Sequence, residues 1–264
     1  MDERKLVFSK WEGTGNDFIL VDDREGVFPA RDILLVQRLC DRHFGIGSDG
    51  LILLQEAETE GTDYHMEFFN PDGSRSFCGN GSRCAFAFRS ALIGSKAAAR
   101  FSAIDGVHGA AWQSGTVSIG MRTVERVEHV DTATDLIHTG SPHLLCWVAA
   151  PEEVDIVSGA HRLRYSERFK VEGVNVNFLR WHNDRLEMRT YERGVEAETL
   201  SCGTGVTAGA LSAMARGLVT GACAVLTRGG ELRVEAEPQG EGFTDISLIG
   251  PVRCVFNGEV SMRP

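Results

Sequence analysis

Only four lysines occur in these 264 residues, and none has a context that suggests a pyridoxal Schiff base. No C-x-x-C pair is present, Cys78 and Cys84 stand six apart, and the eight histidines are scattered, so metal-ligand spacing is missing. The glycine strings lack what nucleotide loops need. Residues 13–17 read GTGND without the Lys-Ser/Thr of a phosphate loop, and GIGSDG at 45–50 has no following helix. Nothing approaches the roughly 18 unbroken apolar residues of a membrane-spanning helix. The start, MDERKLVFSKW, is charged and then strand-like, with no apolar signal core. Positive charge is in deficit: a net charge of −10 argues against nucleic acid or an anionic membrane as partner. Seven cysteines, an odd count, disfavour a disulfide framework, and a reducing cytoplasmic setting is expected.

What remains is ordinary globular composition, 42% hydrophobic and 24% charged, enough for a real core. The length suits one large or two modest domains. Thirty glycines separate short runs that alternate apolar and polar residues, at 5–10, 18–22, 51–54, 64–69, 116–121, 174–181, 186–191 and several after 222. An amphipathic helix is expected over 30–44, with Ile33, Val36, Leu39 and Cys40 on one face. Two other helical segments, SRCAFAFRSALIG after CGNG and VTAGALSAMARG after CGTG, are apolar or small nearly all round. A helix without a polar face is buried on every side, so strands must wrap each one.

These two segments expose an internal duplication. Cys78 and Cys202 lie 124 residues apart, and each follows a strand and a turn and opens a buried helix. The repeat predicts two similarly built α/β domains, each supplying one cysteine to a shared cleft, with the boundary near 123–130.

A cysteine at a helix N-terminus feels the positive end of the macrodipole, which favours the thiolate. Gly79 and Gly203 leave the backbone open to close approach, and the amides of Gly79, Asn80, Gly203 and Thr204 form a carboxylate cradle. Inverting an α-carbon needs a base on one face and an acid on the other, and a thiol titrating near pH 8.5 can be either. A single cysteine before Gly-x-Gly is usually a buried thiol, and Cys40, Cys84, Cys146, Cys223 and Cys254 are read so. Two matched copies at half-chain separation point instead to chemistry.

The segments KWEGTGNDFILVD, RHFGIGSDGLI, FFNPDGSRSFCGNGSRC, GVNVNF, YERGVEAETLSCGTG and RGGELRVE together resemble the diaminopimelate epimerase family, from residue 8 to about 256. The resemblance implies an α/β (α+β) fold of two pseudo-symmetric domains, each a barrel-like mixed β-sheet around a central buried helix. It places the first domain at 1-125 plus 252-264, the last strand returning to it, and the second at 126-251. It implies interconversion of LL- and meso-diaminopimelate, a step of lysine and peptidoglycan precursor biosynthesis, without cofactor or metal. Small-molecule substrate is then the only expected ligand, with no nucleic acid and no membrane, and a homodimer is compatible.

Residue by residue, Cys78 and Cys202 match the catalytic pair, and Glu192 and His143 a polar pair that supports it. Asn16, Asn70, Asn175, Glu192 and Arg193 match substrate contacts, and Gly79, Asn80, Gly203 and Thr204 the cradle. Taken alone, Arg193 reads as a surface ion pair, Asn70 in NPDG as a turn former, and His143 as a packed histidine. Two positions depart from the family: Ser141 stands where many members have Asn, and Gly50 where some have Gln. Both are expected toward the distal end of the substrate, with Ser141 as a candidate contact.

Three rivals remain open on the residues. An epimerase of another amino acid, of the proline-racemase kind, would not need Asn70, Asn175 and Arg193 for a second amino-acid head. A Cys–His hydrolase or transferase would use one cysteine and leave the other CGxG without a task. A binding protein of this fold would have no reason to activate thiols.

Overall fold

The computed structural model describes residues 5–262; the charged start at 1–4 lies outside them. In chain order it begins with β1 (Lys5–Gly13), β2 (Asn16–Asp22), α1 (Ile33–Cys40), β3 (Gly50–Gln55) and β4 (Tyr64–Phe69). Then come α2 (Gly79–Ile93), β5 (Ala99–Ala103), β6 (Gly106–Gln113), β7 (Thr116–Gly120), β8 (Glu128–Asp131), β9 (Thr134–His138) and β10 (Pro142–Trp147). After these follow α3 (Ile156–Arg164), β11 (Asn175–His182), β12 (Arg185–Glu192), β13 (Ala197–Thr199) and α4 (Gly203–Ala215). Last are β14 (Ala222–Thr227), β15 (Gly230–Gln239), β16 (Gly242–Gly250) and β17 (Arg253–Ser261). The chain divides into two compact units, one running to Ile119 and resuming at Pro251, the other Gly120–Gly250.

The duplication is visible in the hydrogen-bond ladders. In the first unit β1 pairs with β2 antiparallel, β2 with β3 parallel, β3 with β4 antiparallel and β4 with β5 parallel; β5, β6 and β7 follow antiparallel. In the second unit β9 to β12 and β14 to β16 repeat the same series of antiparallel and parallel pairings. Parallel neighbours need a crossover. The four crossovers carry α1 and α2 in the first unit and α3 and α4 in the second. The first unit is completed by β17, which lies antiparallel on β1.

The second helix of each unit is the central one. α2 packs against β1, β2, β3, β4 and β6, and α4 against β9, β10, β11, β12, β14, β15 and β16. Val206, Ala208, Ala210, Leu211 and Ala213 of α4 are wholly buried. A fully buried Leu or Val gains about 1.5–3 kcal/mol. Short helices are marginal alone, so α4 owes its helicity to the surrounding strands.

The helix expected over 30–44 is shorter. Asp32 caps it by accepting from the Leu35 amide at 3.0 Å. Asp41 stops it in an extended conformation, and its carboxylate takes the His43 and Phe44 amides at 2.7 Å each. Phe44 is left exposed, and Ile33 is 50% exposed, so the buried face is Leu35, Val36, Leu39 and Cys40. The hydrophobic run extended past a turn that the aspartate side chains decide. No helix of the described residues is long and apolar enough to cross a membrane.

Candidate active site

Both motif cysteines are helix N-caps with extended backbones, Cys78 at φ −132° and Cys202 at φ −114°. The N-cap position puts each cysteine at the positive end of its helix.

In the first unit, Cys78 Sγ accepts from the Gly81 amide at 3.4 Å. Asn16 opens β2 and donates its side-chain amide to Asp49 Oδ2 at 2.6 Å. Arg42 in turn holds Asp49 at 2.6 Å. The Asn16 orientation is thereby fixed, and its Oδ1 faces Asn80 Nδ2 at 3.4 Å and Cys78 Sγ at 4.0 Å. Asn80 is almost wholly buried. Asn70 does not enter this group: its side-chain amide bonds to Ser74 and Ser76 within its own loop, the turn role that NPDG suggests.

In the second unit the network is longer. Cys202 Sγ lies 3.4 Å from Thr204 Oγ1, and Thr204 Oγ1 lies 2.9 Å from His143 Nε2. His143 sits on β10 and is wholly buried. The other ring nitrogen, Nδ1, meets Asn177 Nδ2 at 3.2 Å. Asn177 Nδ2 also donates to the Leu144 carbonyl at 3.1 Å, and its Oδ1 accepts from Thr190 at 2.9 Å, so the amide is not free to flip. Nδ1 is therefore the acceptor, and the proton of a neutral ring is on Nε2. Nε2–H donates to Thr204, whose hydroxyl also meets Cys202 Sγ. Burial pulls the His143 pKa down to about 3, and the His138 and Arg193 charges push the same way. The ring is neutral at any working pH.

Asn175 joins the distal residues. Its Nδ2 donates to Ser141 Oγ at 2.8 Å, and its Oδ1 accepts from the Arg193 amide at 2.9 Å. Arg193 Nη2 reaches Ser141 Oγ at 3.3 Å and Nη1 the Glu172 carbonyl at 2.8 Å. Glu192, the last residue of β12, is half-buried beside Arg193. The His143 ring nitrogens face Thr204, Asn175 and Asn177.

Asn177 and Gly205 were not among the expected residues. A Cβ at Gly205 would stand 2.9 Å from Asn177 Oδ1 and 3.2 Å from His143, so the bare helix turn is what admits the ring. The N-V-N spacing of Asn175 and Asn177, two apart and thus on one face of β11, was the available signal. Of the other cysteines, Cys40, Cys84 and Cys223 are buried, and burial pushes Cys146 and Cys223 up to about 12.

The family model described as diaminopimelate epimerase matches residues 8–127 and again 136–255. The chain belongs to the diaminopimelate epimerase family. It is 41% identical to a diaminopimelate epimerase of Flavobacterium psychrophilum, covering 94% of this chain and 97% of the relative. It is 38% identical to one of Aquifex aeolicus, over 97% and 98% of the two chains. Among solved structures, a hydroxyproline epimerase from Agrobacterium vitis matches with TM-score 0.73 at 16% identity, over 98% of this chain and 93% of that one. A phenazine biosynthesis protein of Bacillus anthracis matches with TM-score 0.74 at 13% identity, over 97% and 99%. These two share the fold.

The family departures separate in the structure. Ser141 is in the Asn175–Arg193 group, its hydroxyl oxygen accepting from Asn175 Nδ2 and Arg193 Nη2. Gly50 is not open space: a Cβ there would stand 2.3 Å from the Phe68 ring, which packs edge-on against Phe18. Core packing, not a substrate contact, occupies that direction.

Proposed function

We propose that this chain is an isomerase that interconverts LL- and meso-diaminopimelate, with Cys78 and Cys202 acting on opposite faces of one α-carbon. One observation carries the reading. The two cysteines cap the equivalent buried helices of a duplicated ladder, so the fold supplies the same activated thiol position twice. One sulfur, as thiolate, takes the α-hydrogen; the other, as thiol, gives its proton to the opposite face, so one proton is lost and one gained. Charge developing on the α-carboxylate is met by the first-turn amides of Gly79, Asn80, Gly203 and Thr204. His143 supports Cys202 through the Thr204 hydroxyl, and Glu192 lies at the end of the neighbouring strand. Arg193, Asn175 and Ser141 suit the distal amino-acid head, since a guanidinium pairs bidentately with a carboxylate. Asn16 serves the first-unit side, and Asn70 acts through its loop. This distal group favours diaminopimelate over a substrate with a single amino-acid head.

The test is isotope fate in heavy water. A thiol carries one proton and is equilibrated with solvent before turnover. The first meso product formed from LL-diaminopimelate should carry deuterium at the inverted carbon, while unreacted substrate stays mostly unlabelled. Substantial retention of substrate hydrogen in that first product would overturn the two-thiol mechanism. Failure to turn over diaminopimelate, with turnover of a one-headed amino acid, would move the chain to another epimerase class.

A further inference from the structure

Arg83, on the second turn of α2, is wholly buried and heads the largest fully buried side chains. Its hydrogen bonds go to neutral acceptors: Nη1 donates to Asn80 Oδ1 at 2.9 Å and Nη2 to Thr14 Oγ1 at 3.1 Å. Its Nε has no hydrogen-bond partner. Gly13 on β1 makes room for it, since a Cβ there would stand 3.2 Å from Nη2. Burying a guanidinium without a paired carboxylate is costly, so something must compensate for it.

Among the described residues, few ionisable groups act on its charge. They are Cys84 and Cys78 from its own helix and Glu12 from β1. Glu12 is already engaged, with Arg253 at 3.3 Å and the Gly15 amide at 3.1 Å. Burial drives the Cys84 thiol far above its ordinary range, so it stays neutral. Farther out, beyond Asn16, the Asp49 carboxylate belongs to Arg42. Cys78 is left as the group that can supply negative charge. Burial draws Arg83 itself only down to about 10, so it is a cation at neutral pH.

We infer that Arg83 is a positioning residue for the reaction: its fixed charge holds Cys78 as the thiolate in the free protein, and its Nη1 sets the Asn80 amide beside Asn16. The inference rests on the catalytic reading of Cys78 given above. A second observation supports it. Cys78 Sγ accepts the Gly81 amide, whereas the Cys202 side chain makes no such cap bond. The residue five after Cys202 is Thr207, whose hydroxyl turns back to the Gly203 carbonyl. The Cys202 side thus has Thr204 and neutral His143 near it, and the opposite charges of Glu192 and Arg193 at the end of β12. A buried cation is supplied on the Cys78 side, so the two cysteines start the reaction in different protonation states.

The pH dependence of iodoacetamide alkylation, mapped to each cysteine by peptide mass spectrometry, tests this without substrate. In the unmodified protein the Cys78 midpoint should lie below the usual thiol value of about 8.5 and below that of Cys202. Arg83→Met should raise the Cys78 midpoint by about one unit or more and leave Cys202 in place. Arg83→Lys, which keeps the charge, should stay near the parent. A folded Arg83→Met protein with an unmoved Cys78 midpoint would overturn the inference. If that variant does not fold, the unmodified protein decides: a Cys78 midpoint at or above that of Cys202 overturns it. The readout is independent of turnover, so a chain inactive on diaminopimelate would sink the catalytic reading and leave the thiol assignment measured.

Discussion

Asn177 donates its side-chain amide to His143 Nδ1 at 3.2 Å, and this contact decides what the histidine can do. A ring that accepts at Nδ1 and is too buried to be charged has one proton, on Nε2, aimed at Thr204. His143 is then a neutral donor that orients a hydroxyl, and not an acid–base group in its own right. Nitrogen-15 NMR should show this single tautomer unchanged between pH 5 and 8, and a titration inside that range would contradict it.

The same burial has a stability consequence. The His143 pKa is lowered from 6.5 to about 3 in the folded chain. Between those values the unfolded chain binds a proton that the folded chain does not. Stability should therefore fall as pH drops from 6.5 toward 3, by up to about 1.4 kcal/mol per unit from this group, with no effect above that window. Urea unfolding across the range should be less steeply pH-dependent in His143→Asn than in the parent. Equal slopes would assign the acid sensitivity to other groups.

Thr204→Val removes the hydroxyl between Cys202 and His143 and strands the Nε2–H in a buried place. Loss of a positioned donor should lower kcat by about 10- to 100-fold and cost about 1–3 kcal/mol in stability. Thr204→Ser keeps the hydroxyl and should recover most of the rate. Steady-state kinetics of the pair distinguishes the hydroxyl from mere shape.

Gly205→Ala places a methyl group where Asn177 Oδ1 and His143 now stand, at 2.9 and 3.2 Å. Overpacking of this kind costs about 1–3 kcal/mol. Thermal unfolding should show the loss, and kcat should drop although no reacting group is touched. A variant as stable and as active as the parent would mean that the ring is not held where it is seen.

Arg193→Lys and Ser141→Ala address the distal head. Lysine loses the planar fork, so KM should rise by about tenfold or more while kcat changes less. Ser141→Ala should do the same more mildly, because Asn175 keeps its bond to the Pro142 carbonyl. A change in kcat alone for either would place these groups at the reacting carbon.

Much of this is legible in the sequence. Apolar residues all round the segments after CGNG and CGTG required surrounding strands, and α2 and α4 have them. Matched spacing exposed the duplication, which the ladders repeat pairing for pairing. The limit of α1 was not legible, since the apolar pattern ran on while Asp41 took two amides and turned the chain. Nor was the surrounding of His143: hydrogen bonds from β11 and α4 meet there, and linear spacing carries no such information. Nor did the sequence mark out Arg83, whose long side chain is wholly buried.

The pairing of β1 with β17 also bears on how the polypeptide assembles during translation. Lys5 meets Ser261 and Glu12 meets Arg253, so one side of β1 waits for a partner made some 240 residues later. At roughly 5–20 residues per second that wait lasts more than ten seconds. The Gly120–Gly250 unit is continuous and needs no strand from later in the chain. The bare β1 edge, with Val7 on it, is meanwhile a strand in search of a neighbour, the kind that chaperones shield and that pairs with other nascent chains when they do not.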